Sequence, residues 1–193
     1  MQSKPSSNLK KSPSPGANRQ EQMRTYLIVG GIAAAVLIAL GIFLLIKPNN
    51  TPISGEGCNQ VQDPPDEGRS HLSSPVQTPV YNENPPTSGL HNPTWQTAGV
   101  YANQQDLTML VHSLEHGYIV IYHRDLTPDE YLKLANLAKS TPYKIIVTPY
   151  AKSPSRIALT AWTHMQKCDK YNEQVILAFI NAYRDQGPEP GAQ

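Results

Sequence analysis

The chain lacks a dominant charge of either sign. Its 16 Lys and Arg stand against 15 Asp and Glu, a formal net charge of +1. A nucleic-acid-binding domain usually carries a concentrated basic patch, so nucleic acid is not an expected partner. Thiols are scarce as well. Cys58 and Cys168 are the only two, and neither belongs to a Cys-x-x-Cys pair. One long segment, YLIVGGIAAAVLIALGIFLLI from Tyr26 to Ile46, has no charge and no proline at all.

A helix needs about 20 apolar residues to cross a hydrocarbon core, so Tyr26–Ile46 reads as a single transmembrane helix. No polar face interrupts it, which argues against a buried core helix. No small-residue cleavage pattern follows it, which argues against a removed signal peptide. No Cys adjoins it to accept a lipid. Lys4, Lys10, Lys11, Arg19 and Arg24 precede it; after Lys47 no basic residue appears until Arg69. Positive charge stays on the cytoplasmic side. The expectation is a cell-membrane protein with its amino end in the cytoplasm and its carboxy-terminal domain outside. The membrane is the partner this reading names; nothing in the sequence names a protein partner.

Residues 1–25 are rich in Ser, Pro, Asn and Lys and are expected to be a disordered cytoplasmic tail. Residues 47–57 read as a linker, and residues 58–190 as the extracytoplasmic domain. In an oxidising compartment two cysteines most simply form one disulfide. Free buried thiols and thiolate ligands are the alternatives.

Proline is frequent, at 18 residues. Many lie between residues 48 and 95, where YNENPPTSGLHNPTW cannot be helical. This stretch is expected to wrap over a core built further on. Beyond it the pattern becomes regular. QQDLTMLVHSLEHG reads as a short helix with Leu107, Leu110, Val111 and Leu114 on one face, ended by Gly117. Tyr118–Tyr122, KIIVTP and Ile157–Trp162 read as buried strands. Thr127, Pro128 and Glu130 form a helix start with a capping box, and that helix runs to about Lys139. The last helix spans about Asn172–Arg184. The predicted fold is α/β (α+β): a small mixed sheet with a β-α-β-β-α core, preceded by the Pro-rich wrapping segment and the short helix. The first two strands should be parallel and the third antiparallel to the second. That order places His116, His164 and Cys168 at one end of the sheet, with His71 tethered nearby, and His123 at the other end.

Met109, His112 and His116 share a helix face, and two histidines four residues apart can reach one metal ion. HSLEH also fits the inverted zinc-peptidase pattern H-x-x-E-H. Only three of its positions are fixed, those enzymes need a larger domain, and here the helix ends at once in Gly117. The plain alternative is structural. His112 and His116 would cap a helix terminus, Glu115 would form a hydrogen-bonded pair, and His91 would satisfy backbone groups in its loop. Met109 and Met165 suit core filling better than ligation. Histidine beside Met would suit copper, and histidine beside Glu would suit zinc.

YNENPPTSGLH, VHSLEHGYIVIY, IALTAW and FINAYRDQGPEP together resemble a family of bacterial, membrane-anchored proteins catalogued as a domain of unknown function. The resemblance covers most of residues 58–190. Its matching positions are Pro85, Pro86, Thr87, Ser88, Gly89, His91, His112, Glu115, His116 and Gly117, joined by His71 and the two Cys; His164 falls outside the pattern. The resemblance implies a single-pass anchor and an exported α/β domain, and no established activity.

The leading expectation is therefore an extracytoplasmic domain that binds zinc or copper through His91, His112 and His116, with Glu115 and His71 as further donors. A structural or partner-binding module without metal is the second reading. A small metal-dependent hydrolase with Glu115 as general base is the third, so binding is favoured over catalysis.

Overall fold

The computed structural model describes residues 15–45, 51–74 and 77–191; in its first helix the side chains of residues 19 and 23–38 are described. The chain divides into two compact units, residues 1–49 and 50–193. The first holds helix α1, Pro15–Leu45. Among the described residues no helix is long and apolar enough to cross a membrane. The predicted span 26–46 runs past those residues at its carboxyl end, and the first fourteen residues of the predicted tail lie outside them.

The second unit is a mixed α/β domain. In chain order it contains β1 (Gly99–Val100), α2 (Leu107–Glu115), β2 (Ile119–His123), α3 (Pro128–Ser140), β3 (Ile145–Pro149), β4 (Ile157–Ala161), β5 (His164–Cys168) and α4 (Glu173–Tyr183). The five strands form one sheet in the order β1-β3-β2-β4-β5. β1 and β2 pair parallel with β3. β4 pairs antiparallel with β2, and β5 antiparallel with β4.

Strand alternation sends successive side chains to opposite faces, and two cores result. Ile119, Ile121, Ile145, Val147, Ile157 and Leu159 pack with α3 and α4 through Leu134, Leu137, Val175, Ile176 and Phe179. Val120, Tyr122, Ile146 and Ala158 pack with α2 through Leu110, Val111 and Leu114. The apolar stripe read from the α2 sequence is thus the stripe it buries. The start of α3 also follows the sequence: Thr127 accepts from the Glu130 N–H, and the Glu130 carboxylate accepts from the Thr127 N–H.

The topology departs from the sequence reading in two ways. β4 does run opposite to β3, but it is hydrogen-bonded to β2. The two-residue strand β1 occupies the outer edge of β3, which leaves β4 only the β2 edge. Residues 164–168 do not simply follow the third strand either; they turn back as β5. Cys168 therefore lies opposite Ile157, which lies opposite His123. It sits at the His123 end, not at the His116 end.

Cys58 and Cys168 form a disulfide across 110 residues of sequence. Closing a loop of that length stabilises by about 4–5 kcal/mol in the chain-entropy view. From Cys58 the chain runs back along β5, with Asn59 and Gln62 donating backbone N–H groups to Lys167 and Met165. That antiparallel course returns the following segment, and His71 with it, to the other end. Residues 51–57 of the expected linker are also tied down: the Ile53 carbonyl accepts from Gln166, and the Lys170 ammonium pairs with Glu56.

The Arg156 guanidinium grips both carboxylate oxygens of Glu130 at 2.9 and 2.6 Å. That pairing, aided by the Thr127 cap, holds the Glu130 carboxyl down at about 2 from an ordinary 4.5. A depressed carboxyl stabilises the fold above its unfolded value and loses that contribution as pH falls through the folded one. Stability should therefore fall between about pH 4.5 and about 2. Arg156→Gln should shrink that fall, because Glu130 then titrates nearer its unfolded value. Urea unfolding at a series of pH values reads the difference; equal slopes for the two proteins would refute it.

Candidate metal centre at the end of helix α2

Helix α2 begins at Asp106, whose carboxylate accepts from the Thr108 N–H, and ends at His116 before Gly117, which adopts φ +79°. Its second half is buried on every side, from Leu110 to Gly117. The sheet covers one face. The other face, carrying His112 and Glu115, meets the Pro-rich strap.

The strap is built to present His91. Residues 68–72 and 89–91 run beside each other, with backbone bonds from Gly89 to Gly68, His91 to Ser70 and Leu72 to His91. Residues 85–89, the PPTSG motif, are buried. The Tyr81 hydroxyl donates to the Leu90 carbonyl. Ser113 fastens the strap to α2, donating from its hydroxyl to the Gln96 carbonyl and accepting from the Gln96 N–H.

His71, His91, His112 and Glu115 come together here, each offering a donor atom within 4.8 Å of the others. His91 is fully buried, and Glu115 is 2 % exposed; His71 is the exposed member. The imidazoles pack ring against ring, His71 on His112 at 5.1 Å and His91 on His112 at 4.9 Å between centroids. Trp162 borders His91, and Trp95 borders His112 and His116. His116 is adjacent: its Nε2 is 3.0 Å from His112 Nε2. It falls in a second donor group with Glu115 and Glu189 rather than in the first.

Two carbonyls decide which nitrogens face inward. His91 Nδ1 lies 2.7 Å from the Gly89 oxygen, and His112 Nδ1 lies 2.6 Å from the Asn92 oxygen. A carbonyl only accepts, so each Nδ1 carries the proton and donates. In the neutral rings both Nε2 atoms then have bare lone pairs. His91 Nε2 points at Glu115 Oε2 from 3.1 Å, His112 Nε2 stands 4.0 Å from the same oxygen, and His112 Nε2 also faces His116. A neutral His116 that carries its one proton on Nε2 donates it to His112 Nε2, and one further proton joins His91 to Glu115; without that proton two acceptors meet there. Burial lowers the pKa of His112, and also of His116, where the neighbouring His112 adds to the effect. Both therefore stay neutral and free to ligate near pH 7.

The other candidates lie elsewhere. His164 Nδ1 donates to the Asp63 carboxylate at 2.7 Å, and its ring stacks on Tyr183. His123 closes β2 at the opposite end, against Tyr131. Met165 is buried in the core on β5. Glu189 is the participant that sequence reasoning missed. Its tail, GPEP, reads only as a helix stop, and no local pattern ties it to α2.

An α/β domain with a histidine- and carboxylate-lined buried site defines the class. The family model for DUF3105, described as a protein of unknown function, matches residues 73–193. The chain belongs to that family. No curated protein and no solved structure matches it.

The tail reaches the site through Gly187. A Cβ there would stand 2.5 Å from the Gly117 nitrogen and 2.6 Å from the Leu114 oxygen, and would also strike the Glu115 carbonyl. These are backbone atoms and cannot yield. Gly187→Ala should therefore destabilise by about 1–3 kcal/mol, the usual cost of overpacking. Gly191→Ala, with open space around it, should change nothing. Denaturant unfolding of the two variants compares them directly, and equal midpoints would show that the tail does not press on α2.

Proposed function

We propose that the chain is a single-pass membrane-anchored protein whose outer domain binds a transition-metal ion through His71, His91, His112 and Glu115. The observation that carries the metal reading is the convergence of three imidazoles and one carboxylate, each with an atom within 4.8 Å of the others. A single proton between His91 Nε2 and Glu115 Oε2 satisfies that one pair. His116, with its proton on Nε2, satisfies His112 in the same way. A cation takes the place of the proton between His91 and Glu115 and draws on His71 and His112 as well. Outer carbonyls that fix the tautomer are also what metal-ligating histidines ordinarily have. Ligand bonds of about 2.0–2.2 Å bring donors to roughly 3–4 Å spacing, so an ion draws the widest pairs inward. Nitrogen and carboxylate donors without thiolate suit Zn²⁺ or Cu²⁺. Glu115 serves here as a donor between His91 and His112 rather than as the base of a peptidase.

The anchor rests on the sequence of Tyr26–Ile46 and the basic residues before it. Tyr26, Leu27, Ile28 and Val29 are consecutive and all exposed, so apolar side chains ring the helix, as a lipid-facing segment requires. A disulfide fits an exported location.

A second reading is a metal-free clasp, favoured by the backbone ladder that joins His71 and His91. The full chain in detergent, stripped by chelator and titrated with Zn²⁺, separates the two. Metal at about 100 times its dissociation constant should stabilise by about 2.7 kcal/mol. His91→Ala and Glu115→Gln should remove that gain, and His123→Ala should keep it. Absence of bound zinc and copper, with an unshifted melting curve, would leave the clasp.

Topology has its own test. Protease added to intact cells should digest the carboxy-terminal domain and spare residues 1–25. Release of the domain in soluble form by signal peptidase would exclude the anchor.

A further inference from the structure

The closing segment, Asp185–Pro190, contributes nothing to the four-donor site, yet it is fastened beside it. Asp185 donates its N–H to the Gly117 carbonyl, and Glu189 donates its own to the Glu115 carbonyl at 3.0 Å. The buried Lys144 ammonium donates to the His116 carbonyl, the Asp185 carboxylate and the Pro190 carbonyl at 2.9, 2.7 and 2.6 Å. Gly187 lies flat against the end of α2. The backbone of Glu189 is thereby fixed on both sides, which a solvated tail does not need.

The consequence is a second donor group. Glu115, His116 and Glu189 each offer an atom within 4.8 Å of the others. An independent feature points the same way. His116 is 4 % exposed; its Nε2 contacts His112, and its Nδ1 is buried with no hydrogen-bond partner. A buried polar atom left unpaired is unfavourable, and such atoms call for a partner.

We propose that this corner is a second cation position, in which His116 and Glu189 hold a divalent ion and Glu115 is shared with the first site. The inference rests on the metal reading of that first site. The donor set is harder than the first, with two carboxylates to one imidazole, and suits Zn²⁺ or Mn²⁺. Lys144 does not oppose it from nearby without compensation, because Asp185 pairs with its charge. The stretch RDQGPEP then has a purpose: it carries a carboxylate to a helix end that local sequence cannot reach.

The test uses the full chain in detergent, stripped of metal, with Zn²⁺ counted by elemental analysis after equilibrium dialysis and Co²⁺ followed by its visible absorption. Two equivalents are expected for the unaltered protein. One is expected for Glu189→Gln, whose side chain is exposed and whose metal-free melting curve should not change. His91→Ala should weaken the equivalent that Glu189→Gln retains. A single equivalent that is indifferent to Glu189→Gln but lost in His91→Ala would overturn the second position and leave the first standing. A single equivalent weakened by both substitutions would also overturn it, because one ion would then use all the donors. No bound metal at all would overturn both.

Discussion

A carboxylate buried among imidazoles is the constraint on which this domain turns. Removing Glu115 from water costs several kcal/mol unless something positive or proton-bearing meets it. The chain meets that cost by bringing a remote segment, the strap around His71 and His91, against helix α2. Proximity alone would not suffice. The Gly89 and Asn92 carbonyls orient His91 and His112 so that their Nε2 atoms face inward. The strap that supplies those carbonyls is stiffened by Pro85, Pro86 and Pro93, which lowers the entropy lost in fixing it.

The sheet separates this requirement from the requirements of stability. Its α3 and α4 face is an ordinary apolar core. Its α2 face is divided, with Leu110, Val111 and Leu114 turned to the strands and His112 and Glu115 turned away. The disulfide lies at the His123 end of the sheet, so the covalent tie closes the domain without touching the donors. Its role in the site is indirect. Starting the strap beside Cys168 sets the course along β5 that delivers His71.

What could be read in the sequence follows from range. Helix α2, the α3 capping box and the strands β2, β3 and β4 depend on residues within a few positions of one another, and their patterns are plain. β5 is harder to see. His164, Gln166 and Lys167 give it a polar look, and the turn before it uses Thr163 at φ +58° rather than an Asn-Gly or Asp-Gly pair. β1 is two residues long and exists only because β3 offers an edge. His91, His112 and Glu115 were nameable because the helix spacing and the Pro-bounded loop announce them. Glu189 was not, because its position depends on Lys144, Asp185 and the shape of Gly187, all contacts made across the fold.

The histidines have one ordinary employment left to consider, the capping of a helix end, and the backbone excludes it. The carbonyls that α2 leaves without helical partners all have others. Ser113 accepts from Tyr118, Leu114 from Gly117, and Glu115 from Glu189. His116 accepts from the Lys144 ammonium. The negative end of the helix is therefore satisfied by backbone N–H groups and one lysine, and no imidazole is needed there. His112 spends its one proton on the strap and His116 turns its ring to His112. Side chains released from capping, stripped of water and aimed at one another hold together only with a proton between each pair. A cation among them would take the place of those protons, with four donors already gathered within 4.8 Å of one another.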